Sequence, residues 1–137
     1  MITEDYVSFE TAKLLKEKGF DEECSCFYNN IDYGTPGLEV DGQLYYKNSA
    51  LDDEEYAAPT IQMAMKWLRN EYNLHIITLP YAPMDRHSYH PGEADFVYIA
   101  QLFKGIIPID EIGRSVIKLT PEEACEAAIK YCLEKLI

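Results

Sequence analysis

A chain of 137 residues, 47% apolar and 26% charged, is long enough for one domain with its own core and too apolar for wholesale disorder. Its composition also sets aside a collagen-like fibre and a disulfide-stapled miniprotein. Twelve basic against 24 acidic residues, a net charge of −12, set aside a phosphate-backbone binder, because such binding comes from Lys and Arg displacing counterions.

In chain order, the first element reads as a helix from Phe9 to Lys18. Ser8 supplies the N-cap, Glu10 favours the first turn, and Gly19 stands where a left-handed residue ends a helix. Ala12 and Leu15, with Leu14 beside them, keep one side apolar. Cys24 to Ile31 and Gln43 to Lys47 are rich in Tyr, Phe and Cys, which suit a half-buried pleated surface. Turn residues from Asp32 to Gly37 and at Asp41-Gly42 separate them. The expectation is two antiparallel strands joined by a long loop, then an acidic linker from Asn48 to Ala58.

Pro59, at a first helical position, opens a helix over 59–72. Ile61, Ala64, Met65, Leu68 and Tyr72 form its apolar stripe, Trp67 widens it, and Asn73 ends it. Leu74 to Leu79 follows as a strand. The stretch from Pro80 to Gly92, with three prolines, reads as a loop, and Asp95 to Phe103 alternates as a second strand. From Ile106 to Leu119 the pattern is ambiguous, with a short strand suggested at Ser115 to Lys118.

The closing helix, 121–136, has Thr120 as N-cap, Pro121 at its first position and Glu123 completing a capping box. Cys125, Ala128, Ile129, Cys132, Leu133 and Leu136 mark its apolar face. The order α-β-β-α-β-β-(β)-α predicts one α+β domain over 1–137, a small antiparallel sheet with three helices packed mainly on one face. Helices 59–72 and 121–136 are expected to pack on one face through Trp67, Met65, Ile129 and Leu133.

The negative charge is unevenly placed. Residues 1–58 carry −10, leaving −2 for residues 59–137, and the densest runs are Asp21-Glu22-Glu23 and Asp52-Asp53-Glu54-Glu55. Charge runs most often only keep a surface solvated. The functional alternative is a surface for a basic protein, with Asp52, Asp53, Glu54 and Glu55 as candidate partner residues; one form of it is an acidic mimic of nucleic acid that inhibits a basic protein. Cys24, Cys26, Cys125 and Cys132 fall at no zinc spacing and are expected as buried, reduced thiols. Met1 to Asp5 lacks the basic and apolar regions of a signal peptide, and no apolar run is long enough to span a membrane. The expected compartment is the cytoplasm, with no membrane and no nucleic acid as direct partner.

One cluster resembles a site. His87, His90, Glu93 and Asp95, in the 85–95 loop, are residue types that ligate divalent metals, which makes a metal-dependent enzyme the rival reading. Against it, the cluster sits in a proline-bearing loop and matches no ligand spacing with a stated mechanism. Ser88 beside these histidines lacks a nucleophile elbow, and Gly34, Gly37 and Gly42 form no phosphate cradle. No cofactor is expected. His75, on a strand, reads as a hydrogen-bonded half-buried residue. Trp67 and the tyrosines read as packing residues, since base-stacking binders pair their aromatics with a positive groove.

Three segments taken together carry a resemblance: Val7 to Asp21, Ala58 to Arg69 running into Asn73-Leu74-His75-Ile76, and Glu122 to Leu133. They are similar to a family of small proteins, without assigned activity, from phages, prophages and mobile elements of gut anaerobic bacteria. The resemblance covers most of the chain in order, apart from 80–94 and 104–119. It implies an intracellular protein related to phages or mobile elements and brings no activity, cofactor or catalytic residue. The functional expectation is a non-enzymatic accessory or interaction protein that offers its acidic half to a protein partner, with homo-oligomerisation left open.

Overall fold

Helix α1 (Phe9–Glu17) starts where the Ser8 hydroxyl accepts from the Thr11 amide at 3.3 Å. It ends in a left-handed turn: Gly19, at φ 91°, donates to Lys16, and the Phe20 amide donates to the Leu15 carbonyl at 2.9 Å. That turn drives Phe20 into the core at 1% exposure. The computed structural model describes residues 2–29, 37–40, 46–81, 97–109, 117–118 and 120–137.

The fold is α+β, with the antiparallel strands of the described residues in two sheets rather than the single expected sheet. In the first, β1 (Cys26–Asn29) lies between β2 (Gly37–Val40) and β3 (Glu55–Ala57). Both partners of β1 differ from expectation. β2 falls just past the turn-rich stretch, and β3 falls within the supposed acidic linker, where Ala57 is buried. Of the predicted strand at Gln43–Lys47, Tyr46 makes an isolated bridge to Cys24, Lys47 follows it, and 43–45 lie outside the described residues.

Helix α2 (Ile61–Tyr72) is capped by Thr60, whose hydroxyl accepts from the Met63 amide at 3.1 Å. Pro59 therefore sits one residue before the cap, buried, and its carbonyl accepts from the Val7 amide at 3.1 Å. A side chain that bonds the first turn outcompetes a ring that only presets φ. Asn73, at φ 54°, ends the helix as expected.

The second sheet pairs β4 (Leu74–Tyr81) with β5 (Val97–Lys104), Leu74 opposite Lys104 and Tyr81 opposite Val97. Pro80 thus belongs to a strand, not to the loop. The other edge of β5 takes β6 (Ile107–Ile109) and β7 (Ile117–Lys118) end to end. Helix α3 (Pro121–Tyr131) begins as the sequence indicated, with the Thr120 hydroxyl accepting from the Glu123 amide, and passes into a π-type turn at Cys132–Leu136.

Helices α2 and α3 pack on one face of the second sheet, and Trp67, Leu68, Ile76, Leu102, Ile129 and Leu133 share one buried cluster with Leu15 and Phe20 of the α1 end. Trp67 is 7% exposed, edge-on to Phe20 at 5.4 Å and to Tyr72 at 5.3 Å. A polar link closes the other side of the core. Glu126 of α3 accepts through Oε1 from the Ser8 amide at 2.8 Å and the Thr11 hydroxyl at 2.7 Å, setting a carboxylate on the positive end of α1.

Candidate partner-binding surface

The acidic runs are placed by polar side chains. Asn48, at 7% exposure, donates through Nδ2 to the Phe20 carbonyl at 2.7 Å and accepts through Oδ1 from the Ala57 amide at 2.8 Å. It thereby fastens the exit of α1 to β3. Ser49, in the same 3-10 turn (Asn48–Ala50), donates its amide to Asp21 Oδ1 at 2.7 Å, and this bond holds the Asp21 carboxyl below its usual pKa.

The second run is a tight turn. The Glu55 amide donates to the Asp52 carbonyl and Glu55 Oε1 accepts from the Asp52 amide, both at 3.0 Å. Lys16 of α1 reaches under it. Its ammonium donates to the Asp52 and Glu55 carbonyls at 2.8 Å each and lies 5.2 Å from the Tyr56 ring centre. Because Lys16 spends its charge on carbonyls, the turn is braced without its carboxylates being neutralised.

Asp21, Glu22, Glu23, Asp52, Asp53 and Glu54 are all exposed, and the bonds of Asn48 and Ser49 to Phe20 and Asp21 bring the two runs near one another. Among the described residues the ion pairs join Lys130 to Glu10 and Glu134, so none of these six is neutralised that way. Glu55 differs from the other three candidates, being half-buried and engaged in its own turn. Asn48, Ser49 and Lys16 are the residues the sequence reading missed. Lys47-Asn48-Ser49 did carry a signal, since Asn and Ser side chains bond nearby backbone in turns.

Beside this surface runs a groove of about 660 Å³ along α2, lined among others by Glu22, Glu23, Lys47, Lys66, Trp67 and Arg69. Three cations beside an aromatic ring are what a stacking site needs, yet Glu22, Glu23 and Glu71 line the same groove and cancel their field. Among the described residues its lining holds no Ser, Cys or His.

The cysteines are free and buried, as expected. Burial pushes the Cys24 and Cys132 thiols up to about 12 and raises that of Cys125, which keeps all three protonated and poorly nucleophilic. Among the described residues no three His, Cys, Asp or Glu side chains gather as a metal site. His87, His90, Glu93 and Asp95 lie outside the described residues, as do Ser88, Gly34 and Gly42. His75 is half-buried and shares a hydrogen bond with Asn73 Oδ1 at 2.9 Å. Tyr28 packs edge-on to Phe9 and donates its hydroxyl to the Val7 carbonyl.

No protein-family model, curated protein or solved structure matches the chain. Among the described residues no helix is long and apolar enough to cross a membrane.

Proposed function

We propose that the protein is a non-enzymatic accessory protein of phage or mobile-element origin that uses its acidic surface to bind a basic protein in the cytoplasm. The observation that carries this reading is the convergence of two acidic runs, about thirty positions apart in sequence, on a scaffold of hydrogen bonds that leaves six carboxylates exposed. A charge run that only aids solubility has no need of a buried Asn and a buttressing Lys to fix its direction. Preorganised charge steers an oppositely charged partner and fixes its orientation more than it adds raw affinity. Buried reduced thiols suit a reducing compartment.

Capture from host-cell extract tests it, with the chain compared against an Asp52→Asn, Asp53→Asn, Glu54→Gln variant. Glu55 is left intact because it holds the turn. The native chain should retain basic proteins that the triple variant loses. Capture should also weaken steeply as salt rises, since exposed charges are screened over about 8 Å at physiological ionic strength. Equal capture by both chains would leave the run a solvating feature only.

A further inference from the structure

Among the described residues five large apolar side chains stand exposed, and four of them lie on the second sheet or its β5–β6 turn: Ile77 at 46%, Leu79 at 38%, Ile106 at 95% and Ile107 at 67%. Residues directly opposed in an antiparallel pair share a face. The register of β4 with β5 therefore gathers Ile77, Leu79, Ile99 and Phe103 on the face turned away from α2 and α3, while Ile76 and Leu102 are buried beneath the helices.

Strand β4 is also the edge of that sheet. Among the described residues no strand pairs with its outer side. The Gly105 amide donates to the Asn73 carbonyl at 2.9 Å, which sets the phase of the ladder. With that phase His75, Ile77 and Leu79 direct their amides and carbonyls to β5, and Leu74, Ile76 and Thr78 direct theirs outward. Pro80, next in this outward series, has no donor and closes it. Edge strands are ordinarily guarded by charge, above all Lys. The eight residues of β4 include no Lys, Arg, Asp or Glu.

The charge distribution selects the occupant. Residues 59–137, which build this sheet with α2 and α3, carry −2 of the chain's −12. A basic partner is drawn to the other half, and this edge offers it no carboxylate to pair with. A second copy brings the same nearly neutral half, and its β4 presents an identical outward row of donors and acceptors that matches this one in antiparallel register. We propose that β4 pairs with β4 of a second copy, antiparallel and centred on Ile76, joining two four-stranded sheets into one. In that register Ile76 faces its own counterpart and Leu74 faces Thr78 of the other chain, giving about six main-chain hydrogen bonds with Pro80 outside the ladder. Ile77 then lies across from His75 of the other chain, and the exposed apolar faces run on as one band. The dimer is independent of the acidic surface, so its fate and that of the proposed function are read separately.

Sedimentation equilibrium of the full chain between about 1 and 500 μM is the test, spanning the range in which weak dimers dissociate. The native chain should be dimeric at the upper end and should stay so in high salt. Hydrogen exchange should show the Leu74, Ile76 and Thr78 amides gaining protection as concentration rises. Ile77→Lys and Leu79→Lys, both at exposed positions, should keep native circular dichroism and weaken association about tenfold or more. A native chain monomeric throughout the range overturns the proposal. So does a dimer that both lysine variants leave intact, or one in which the three outward amides exchange as fast as in the monomer.

Discussion

The first sheet, with α1 against β3, belongs to the half of the chain that carries −10, and the second, under α2 and α3, to the half that carries −2. They are held by different means. Around the first, side chains with polar tips make the joins: Asn48 between α1 and β3, Lys16 beneath the acidic turn, Tyr28 onto the Val7 carbonyl. In the second, a long two-strand ladder and an apolar face under two helices carry the structure. A small region that directs its own backbone groups to buried polar partners can hold shape while its outer surface is given over to like charges. A region held by strand alternation alone leaves an apolar face and an open edge behind.

The largest expected effect strikes the junction between the halves. Trp67→Ala should cost about 3–5 kcal/mol in urea unfolding, because the indole is packed between Phe20 of the first half and Tyr72 of the second. A loss below about 1 kcal/mol would mean that the halves do not share a core. Next, Asn48→Ala should cost about 2–4 kcal/mol, since it strips partners from the buried Phe20 carbonyl and Ala57 amide. A change as mild as that of a surface site would refute the claim that polar links hold the first sheet.

Alkaline pH separates the contributions another way. Cys24 in the first half and Cys132 in the second have thiols raised by burial from 9.0 to about 12. The folded chain thus keeps protons that the unfolded chain releases. Stability is full below the ordinary thiol pKa and falls as pH climbs from there toward 12. Urea midpoints at rising pH should decline over that window, and native thiols should resist alkylation at pH 8 until the chain is unfolded. Smallest of all, the Asp52→Asn, Asp53→Asn, Glu54→Gln variant should lie within about 0.5 kcal/mol of the native chain, because those three carboxylates are exposed and hold no ion pair among the described residues. A larger loss would make the acidic turn structural.

The helices were legible because their stop and start signals are local. Ser8 and Thr120 act as caps, Gly19 takes the left-handed position expected of it, and Asn73 ends its helix where a stop was expected. Around Pro59-Thr60 two start signals compete, and only geometry shows that the hydroxyl caps. The second sheet was legible where alternation is long, in β4 and β5. It was not legible in β6, a three-residue strand with a proline at its centre. The first sheet was largely hidden, since β3 has three residues, the first of them part of an acidic run, and β2 follows a string of turn formers. The acidic runs were readable as composition. Their convergence was not, because it depends on Asn48 reaching Phe20 and on Lys16 reaching Asp52, contacts that no short-range pattern encodes.

The Glu126 carboxylate that seats the start of α1 has a consequence in time. Its partner Thr11 lies 115 positions earlier in the chain, and at typical rates of synthesis those positions take roughly 6 to 23 seconds to add. While the ribosome works, the first helix has its own cap from Ser8 but lacks the anion that fastens it to α3. The early half must therefore wait for α3, and it does so carrying ten surplus negative charges, which favour solubility over self-association.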